Sequence, residues 1–383
     1  LLLAIFTFSL SLLGTFLVPS GVLTSVHAFA TDPTRGVFIL AFLGVVVGGS
    51  LVLYGLRGHT LKSQGGFGWL SREAFMLINN ILLVIVLAIV LLGTLYPLVA
   101  DVLNWGKISV GPPYFNLFFV PLMVVVAVLM AAGSLLRWKR TDWPWLKARL
   151  WLPAVIALVV GIIFPFVYGG AFHAGAAVTM AVFTWVVAVI VRDLWSKSSH
   201  GAGRWSGLRR LTGSYYGMHL AHFGLACCLL GAGLTTVYSV EADRRVEAGD
   251  VEQHGGYRFV FQGVDQVRGP NYRSDRASVA VYRNERLVTT LYPEKRRYLA
   301  SNQVMTEAGI DGGLFRDLYV SLGEPLAGGA WSIRLHVKPF VRWLWLGALL
   351  MAGGGAIAML DKRYRTVRAT APRAAGTVSG AAG

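Results

Sequence analysis

The chain has 383 residues, of which 55% are hydrophobic and only 14% are charged. Soluble domains carry roughly 25% charged residues, so this composition excludes an ordinary soluble enzyme and favours a membrane protein. The formal net charge is +16, from 35 Lys and Arg against 19 Asp and Glu. Such a charge can indicate nucleic-acid binding or orient a protein in a membrane, and its distribution along the chain distinguishes the two.

Apolar segments of about 20 residues, the length that a membrane-spanning helix needs, recur along the chain. Because Leu1 lies inside such a segment, with no Met or charged stretch before it, we expect the chain to begin within a membrane helix. The fifth and sixth segments are separated only by an uncharged turn at 169–172, which predicts a helical hairpin. The sequence predicts a membrane all-α helical bundle of about eight transmembrane helices, at 1–18, 36–56, 74–97 (closed by Pro97), 115–136, 150–168, 173–191, 216–238 and 340–360.

Basic residues are concentrated in every second connection between these segments. The loops at 57–73, 137–149 and 192–210 and the tail at 361–383 are basic, whereas the intervening loops are neutral. Cytoplasmic loops are enriched in Lys and Arg, so we expect these loops and both chain ends to be cytoplasmic. The net charge is then an orientation signal, and we predict no nucleic-acid partner. The tail is interpreted as disordered.

The segment 239–339 has a different pattern from the rest of the chain. Hydrophobic and polar residues alternate in runs such as 257–261, 278–282 and 331–335, and turn signals separate these runs. Alternation of this kind predicts β-strands. We therefore expect a mostly β periplasmic domain, either a sandwich or an open barrel. The predicted domains are a bundle of seven spans at 1–238 with an outer loop at 19–35, the β domain at 239–339, a last helix at 340–360 and the tail.

Histidine is the side chain left to carry chemistry. The sequence contains no Walker loop, CxxC, HExxH or GxSxG motif, and acidic residues are nearly absent from the predicted spans, so we predict no catalytic residue and no carboxylate relay. Imidazole is a natural axial ligand of haem iron. His219 and His222 lie on one face of the predicted helix 216–238, and His27 lies in the first outer loop. Packing or interfacial roles are the alternatives for all three.

The residues around His27 carry a family resemblance. The run 14–18 through 20–30 resembles a signature of the CcmF family, the haem-handling membrane proteins of bacterial cytochrome c maturation. The segments 110–116 and 217–224, and the large outer domain before the last helix, resemble the family as well. Pro19 departs from the pattern, because relatives usually have Arg there. The resemblance covers this whole chain but only the C-terminal portion of the family protein, without its Trp-rich WWD region.

The resemblance implies a haem-binding component of a haem lyase complex in the bacterial inner membrane. Such a protein takes haem from the chaperone CcmE and, with CcmH and CcmI type subunits, promotes its thioether attachment to the CxxCH motif of apocytochrome c. His27 is implied as the ligand of the incoming haem. His222, or less closely His219, is implied as an axial ligand of a transmembrane haem b that keeps the substrate iron reduced, with quinol as a candidate electron donor.

The family uses two axial histidines for each haem, and the resemblance supplies one for each site in this chain. We therefore predict that the chain alone binds haem weakly and is inactive as a lyase. Two other functions are the alternatives. A transmembrane transporter of haem or a small solute predicts broken helices and repeats, for which Gly161 and the Gly169 and Gly170 pair are the candidates. A non-catalytic assembly scaffold predicts that the outer domain recruits partners.

Overall fold

The computed structural model describes residues 2–17, 33–60, 66, 68–106, 108–199 and 203–361. His27 and the tail from residue 362 lie outside the described residues. The described helices are α1 (Leu2–Leu17), α2 (Pro33–Arg57), α3 (Arg72–Val102), α4 (Pro112–Leu135), α5 (Trp143–Gly169), α6 (Ala174–Ser198), α7 (Arg204–Arg209), α8 (Gly213–Tyr238) and α9 (Arg342–Met359). The strands are β1 (Val240–Val246), β2 (Val251–His254), β3 (Tyr257–Arg268), β4 (Tyr272–Arg283), β5 (Arg286–Leu291), β6 (Glu294–Tyr298), β7 (Val304–Glu307), β8 (Gly309–Gly312), β9 (Arg316–Pro325) and β10 (Trp331–Pro339).

Seven of the described helices are long and apolar enough to cross a membrane, and α1 is a shorter apolar helix. This confirms the predicted fold class of a membrane helical bundle with a mostly β domain. Three predicted helix ends were wrong by five residues or more. Helix α3 continues through Pro97 to Val102, α5 begins at Trp143 and not at residue 150, and α6 continues past residue 191 to Ser198. In an apolar environment, backbone groups that leave a helix lose their hydrogen bonds, so a helix tends to continue through a proline or a charged residue.

The chain forms two compact units, and the first comprises residues 1–126 with 137–140. Here α3 and the beginning of α4 pack closely at Gly93, where a Cβ atom would lie 2.5 Å from the Tyr114 ring. The Tyr114 hydroxyl donates a hydrogen bond to the Ile89 carbonyl at 3.2 Å. Glu73, in the first turn of α3, forms an ion pair with Lys139 at 3.1 Å.

The second unit contains α5 to α9 and the β domain. Helices α5 and α6 form the predicted hairpin, and α5 ends at Gly170, whose φ of 72° is a left-handed conformation that glycine adopts without strain. Helices α8 and α9 are antiparallel and in close contact. A Cβ atom on Gly224 would lie 2.6 Å from the Gly347 carbonyl oxygen, and one on Gly354 would lie 2.5 Å from the Gly217 carbonyl oxygen. Small residues thus allow the two backbones to meet.

The β domain is a sandwich of two antiparallel sheets, so of the two predicted alternatives the barrel was wrong. One sheet has the strand order β1-β10-β9-β8, and the other has the order β2-β3-β4-β6-β7 with β5 paired to β4. Their inner faces enclose one hydrophobic core, because inward-facing apolar residues alternate with outward-facing polar ones. The largest fully buried members of this core are Phe259, Leu318, Leu322, Ile333, Leu335, Val246, Val279 and Val281.

Short connections attach the sandwich to the ends of α8 and α9. Ser239 alone separates α8 from β1, and Phe340 and Val341 separate β10 from α9. Phe340 packs into the helical core, and the Thr235 hydroxyl donates to the Pro339 carbonyl at 2.7 Å. The Trp343 indole donates to the Leu314 carbonyl at 3.0 Å. The sandwich is therefore fixed to the helix pair that carries His219 and His222.

Candidate functional site

Helix α8 carries both candidate histidines in its first three turns. Thr212 caps the beginning of the helix, and its hydroxyl accepts the Tyr215 N–H at 3.4 Å. Asp361, just beyond α9, accepts the Ser214 N–H at 2.7 Å. A carboxylate at this end favourably opposes the positive end of the helix dipole, so both contacts stabilise the first turn. The backbone that presents His219 and His222 is therefore capped at its beginning and packed along α9.

His219 is paired with an acidic residue of the neighbouring helix α6. Its Nε2 atom lies 3.2 Å from Asp193 Oδ2, and the two side chains are 4% and 6% exposed. Lys197 Nζ lies 3.0 Å from the same carboxylate oxygen, and the Tyr215 hydroxyl also donates to it. A buried charge inside a membrane helix bundle is costly unless it is paired and hydrogen-bonded, and Asp193 meets both requirements.

The imidazole of His219 is further confined by an aromatic ring. The Tyr215 ring lies edge-on to it with 4.5 Å between ring centroids, and the Lys197 ammonium lies 4.1 Å from the Tyr215 ring centroid. The Nδ1 atom of His219 is buried, and among the described residues it has no hydrogen-bond partner. With Nε2 facing the carboxylate, one of the two ring nitrogens that can ligate a metal is already engaged.

His222 has a different environment. At 100° per residue, three residues place it about 60° from His219 around the helix axis. It begins a stripe that continues through Leu225, Leu229, Ala232 and Thr236 at intervals of three and four residues. None of these five described residues is buried, and Ala232 and Thr236 are exposed. His222 therefore lies at one end of a largely apolar flank of α8 that packs incompletely against α6 and α9.

Asp193 is the residue of this site that the sequence prediction missed. The sequence places it in the basic loop 192–210 and predicts spans that are nearly free of acidic residues, but α6 continues through it to Ser198. The charge of Arg192 does not end the helix, because its guanidinium reaches the Ala148 carbonyl at 2.8 Å. The spacing of Asp193 and Lys197 by four residues was the signal in the sequence, since such pairs stabilise one helix face.

The other candidates contribute little to this site. Among the described residues, no group of three or more His, Cys, Asp or Glu side chains is arranged to hold a metal ion. Cys227 and Cys228 are free thiols within α8, and Cys228 Sγ donates to the Leu344 carbonyl of α9 at 3.2 Å. The predicted role of His27 lies outside the described residues.

Known proteins resemble this chain at the level of both sequence and fold. Residues 237–339 match a family model described as the CcmF C-terminal beta-sandwich. The cytochrome c-type biogenesis protein CcmF of Pseudomonas aeruginosa is 53% identical over 364 residues, which cover 95% of this chain and 55% of that protein. CcmF of Escherichia coli K12 is 45% identical over 377 residues, which cover 98% of this chain and 57% of that protein.

The chain belongs to the CcmF family. A solved structure named cytochrome c heme lyase CcmF has the same fold, with a TM-score of 0.71 and 23% identity over 92% of this chain and 53% of that one. The chain thus spans about half the length of the CcmF relatives that it matches. The matched sandwich, 237–339, coincides with strands β1 to β10, which run from Val240 to Pro339.

Proposed function

We propose that this CcmF-family protein acts in cytochrome c maturation as a haem-binding component of a haem lyase complex. The support is the family itself, whose members are named cytochrome c-type biogenesis proteins, and one solved relative is named a haem lyase. The chain spans about half the length of those relatives. The proposal therefore concerns the contribution that this chain, through α8 and the sandwich, makes to the activity of the whole protein.

Within this role, His222 would hold the iron of a b-type haem in the membrane. The observation that carries this choice is the Asp193 carboxylate, which lies 3.2 Å from Nε2 of His219 and engages that histidine. His222 instead lies at the edge of the flank that contains Leu225 and Leu229. An imidazole beside apolar side chains suits a porphyrin, whose faces are apolar and whose iron binds histidine nitrogen.

A b-type haem held there would supply one-electron transfer. The described residues position its ligand. The glycine contacts of Gly217 and Gly224 hold α8 against α9, and the Asp193 cluster holds α8 against α6. Asp193 also keeps His219 turned toward α6, so that His219 does not compete with His222 for iron.

The outer-face steps of the proposal come from the family resemblance. His27 ligates the haem delivered by the chaperone CcmE, and CcmH and CcmI type subunits bring the CxxCH motif of apocytochrome c. A membrane haem held by His222 would keep the iron of the substrate haem reduced, with quinol as the source of electrons. The protein lies in the bacterial inner membrane with both ends in the cytoplasm, which places the sandwich in the periplasm. Among the described residues, the seven long apolar helices together with the shorter apolar helix α1 suit such a multi-pass location.

Replacement of His27 and of His222 in the full-length protein tests the proposed function. In a strain that lacks its own CcmF, we expect both His27→Ala and His222→Ala to abolish covalent haem attachment to a reporter cytochrome c, while the protein remains in the membrane. His173→Ala is the matched control, because His173 directly precedes α6 and its side chain makes no capping hydrogen bond. Normal maturation with both variants would favour an assembly scaffold and would overturn the proposal.

A further inference from the structure

An apolar groove lies where α6, α7 and α8 meet, at the end of two membrane-spanning helices. We call it the interfacial groove. It has a volume of about 570 Å³. Because α6 ends at Ser198 and α8 begins at Gly213, the groove lies at the depth where the helices leave the apolar part of a membrane. The residues that line it are Val191, Leu194, Trp195, Ser198, Trp205, Leu208, Arg209 and Tyr216.

The walls of the interfacial groove are fixed by specific contacts. A Cβ atom on Gly207 would lie 2.2 Å from the Ser198 carbonyl oxygen, so only glycine allows α7 to lie this close to the end of α6. The Tyr216 hydroxyl donates to the Leu208 carbonyl at 2.8 Å and joins α7 to α8. The groove is therefore formed before any ligand enters, and a ligand need not order its walls.

The hydroxyl groups that line the groove are hydrogen-bonded within the protein, and one cationic side chain of the lining can contact a ligand. The Ser198 hydroxyl donates to the Trp195 carbonyl at 2.8 Å, and the Tyr216 hydroxyl is bonded to Leu208. Arg209 is exposed, with its guanidinium 5.6 Å from the Trp205 ring centroid. Among the described residues that line the groove none is acidic. The groove thus combines apolar walls with one positive charge at its rim.

The surroundings of the groove favour a lipid over a soluble ligand. Trp195 and Trp205 are 60% and 69% exposed, and tryptophans at this depth are typical of the membrane–water interface. The Arg204 guanidinium lies 3.5 Å from the Trp195 ring centroid, which adds a second positive charge beside the groove. Basic pockets between transmembrane helices bind the headgroups of anionic lipids.

We propose that the interfacial groove binds an anionic phospholipid, with an acyl chain along the apolar wall of Val191, Leu194 and Leu208 and the phosphate beside Arg209. The charge of the rim selects an anionic headgroup over a zwitterionic one. The Asp193 cluster does not take part, since its carboxylate bonds to Lys197, Tyr215 and His219. This site is separate from the proposed haem ligand His222 and does not depend on it.

Native mass spectrometry of the purified full-length protein tests this proposal, with phosphatidylglycerol or phosphatidylcholine added at equal concentrations. We expect tighter binding of phosphatidylglycerol. Arg209→Gln should weaken that binding about fivefold, as expected for one basic residue near an anionic headgroup, and should leave phosphatidylcholine binding unchanged. Arg210→Gln removes the same charge one residue outside the lining and is the matched control. Val191→Trp should fill the groove and weaken both lipids, whereas Val178→Trp on the same helix should not.

Four results would overturn the proposal. The first is equal binding of the two lipids to the wild-type protein. The second is an equal loss of phosphatidylglycerol binding in Arg209→Gln and Arg210→Gln. The third is displacement of the lipid by millimolar inorganic phosphate, which would indicate a site for free phosphate. The fourth is displacement of phosphatidylglycerol by a short-chain ubiquinone at a concentration lower than the lipid itself requires for binding, which would indicate that the groove is a quinone site. Equal thermal unfolding midpoints among the variants exclude misfolding as the cause of any loss.

Discussion

His219 and Asp193 meet between two membrane-spanning helices, with 3.2 Å between Nε2 and Oδ2, and both side chains are less than one tenth exposed. The contact joins the beginning of α8 to the end of α6, so it sets the position of α8 one turn before His222. It also distinguishes two histidines that lie three residues apart on one face of the predicted helix. One faces a carboxylate within the bundle, and the other lies beside an incompletely packed flank.

Truncation of Asp193 should destabilise the protein. Asp193→Ala removes the acceptor that Tyr215, Lys197 and His219 share. The buried His219 and the partly buried Tyr215 then lose this acceptor, at a cost of about 1–3 kcal/mol. We expect a lower midpoint in thermal unfolding of the detergent-solubilised protein. Asp142→Asn is the control, because Asp142 is exposed and its side chain makes no capping bond to α5. An unchanged midpoint for Asp193→Ala would show that the cluster contributes nothing to stability.

Two adjacent glycines of α9 should respond oppositely to the same substitution. A Cβ atom on Gly354 would lie 2.5 Å from the Gly217 carbonyl oxygen, whereas one on Gly355 would have no heavy atom within 4 Å. Gly354→Ala should separate α8 from α9 and destabilise the protein by about 1–3 kcal/mol, the usual cost of overpacking. Gly355→Ala should be neutral or slightly stabilising, because alanine favours the helix. Thermal unfolding compares the two, and equal midpoints would argue against the close helix contact.

The stability of the sandwich should depend on pH through Glu294. Burial raises the pKa of this carboxyl, but hydrogen bonds from Arg296 at 2.8 Å and Arg276 at 2.6 Å outweigh burial and hold the pKa below its ordinary value. A carboxyl with a lowered folded-state pKa stabilises the fold above its unfolded-state pKa, here about 4.5. That stabilisation is lost as the pH falls further, through the folded-state pKa.

Glu294→Gln tests this linkage. The variant should be less stable than the wild type in urea unfolding at pH 7, and the difference should shrink below about pH 4.5. Glu285→Gln is the matched control, because Glu285 pairs with Arg258 on the same domain but is 84% exposed. A Glu294→Gln deficit that stays constant down to pH 3 would contradict a role for the ionised carboxylate.

The fold could be predicted from the sequence to the extent that it follows from local patterns. Apolar runs indicated the spanning helices, and alternation indicated the strands of 239–339. The choice between a sandwich and a barrel depends on which strands pair across long distances, and no local pattern contains that information. The extension of α6 to Ser198 was missed because charged residues usually end a membrane helix, whereas Arg192 finds its partner on α5 at the Ala148 carbonyl.

The absence of long-distance information in local sequence patterns also explains why the role of Asp193 at the site was missed. His219 and His222 were recognisable as candidates because intramembrane histidines are uncommon, but three residues of spacing cannot say which one faces a partner. That depends on Asp193, which is 26 residues from His219 in sequence. The interfacial groove was also not predictable, since it depends on the close contact of Gly207 with Ser198.

The reduced-minus-oxidised absorption spectrum of the purified full-length protein tests the central claim most directly. We expect a b-type haem signal in the wild type that His222→Ala abolishes and that His219→Ala retains, because Asp193 engages His219 whereas His222 lies beside the apolar flank of α8. Equal amounts of folded protein, checked by size-exclusion chromatography, make the spectra comparable. A full signal in His222→Ala, or a signal lost only in His219→Ala, would contradict the assignment of His222.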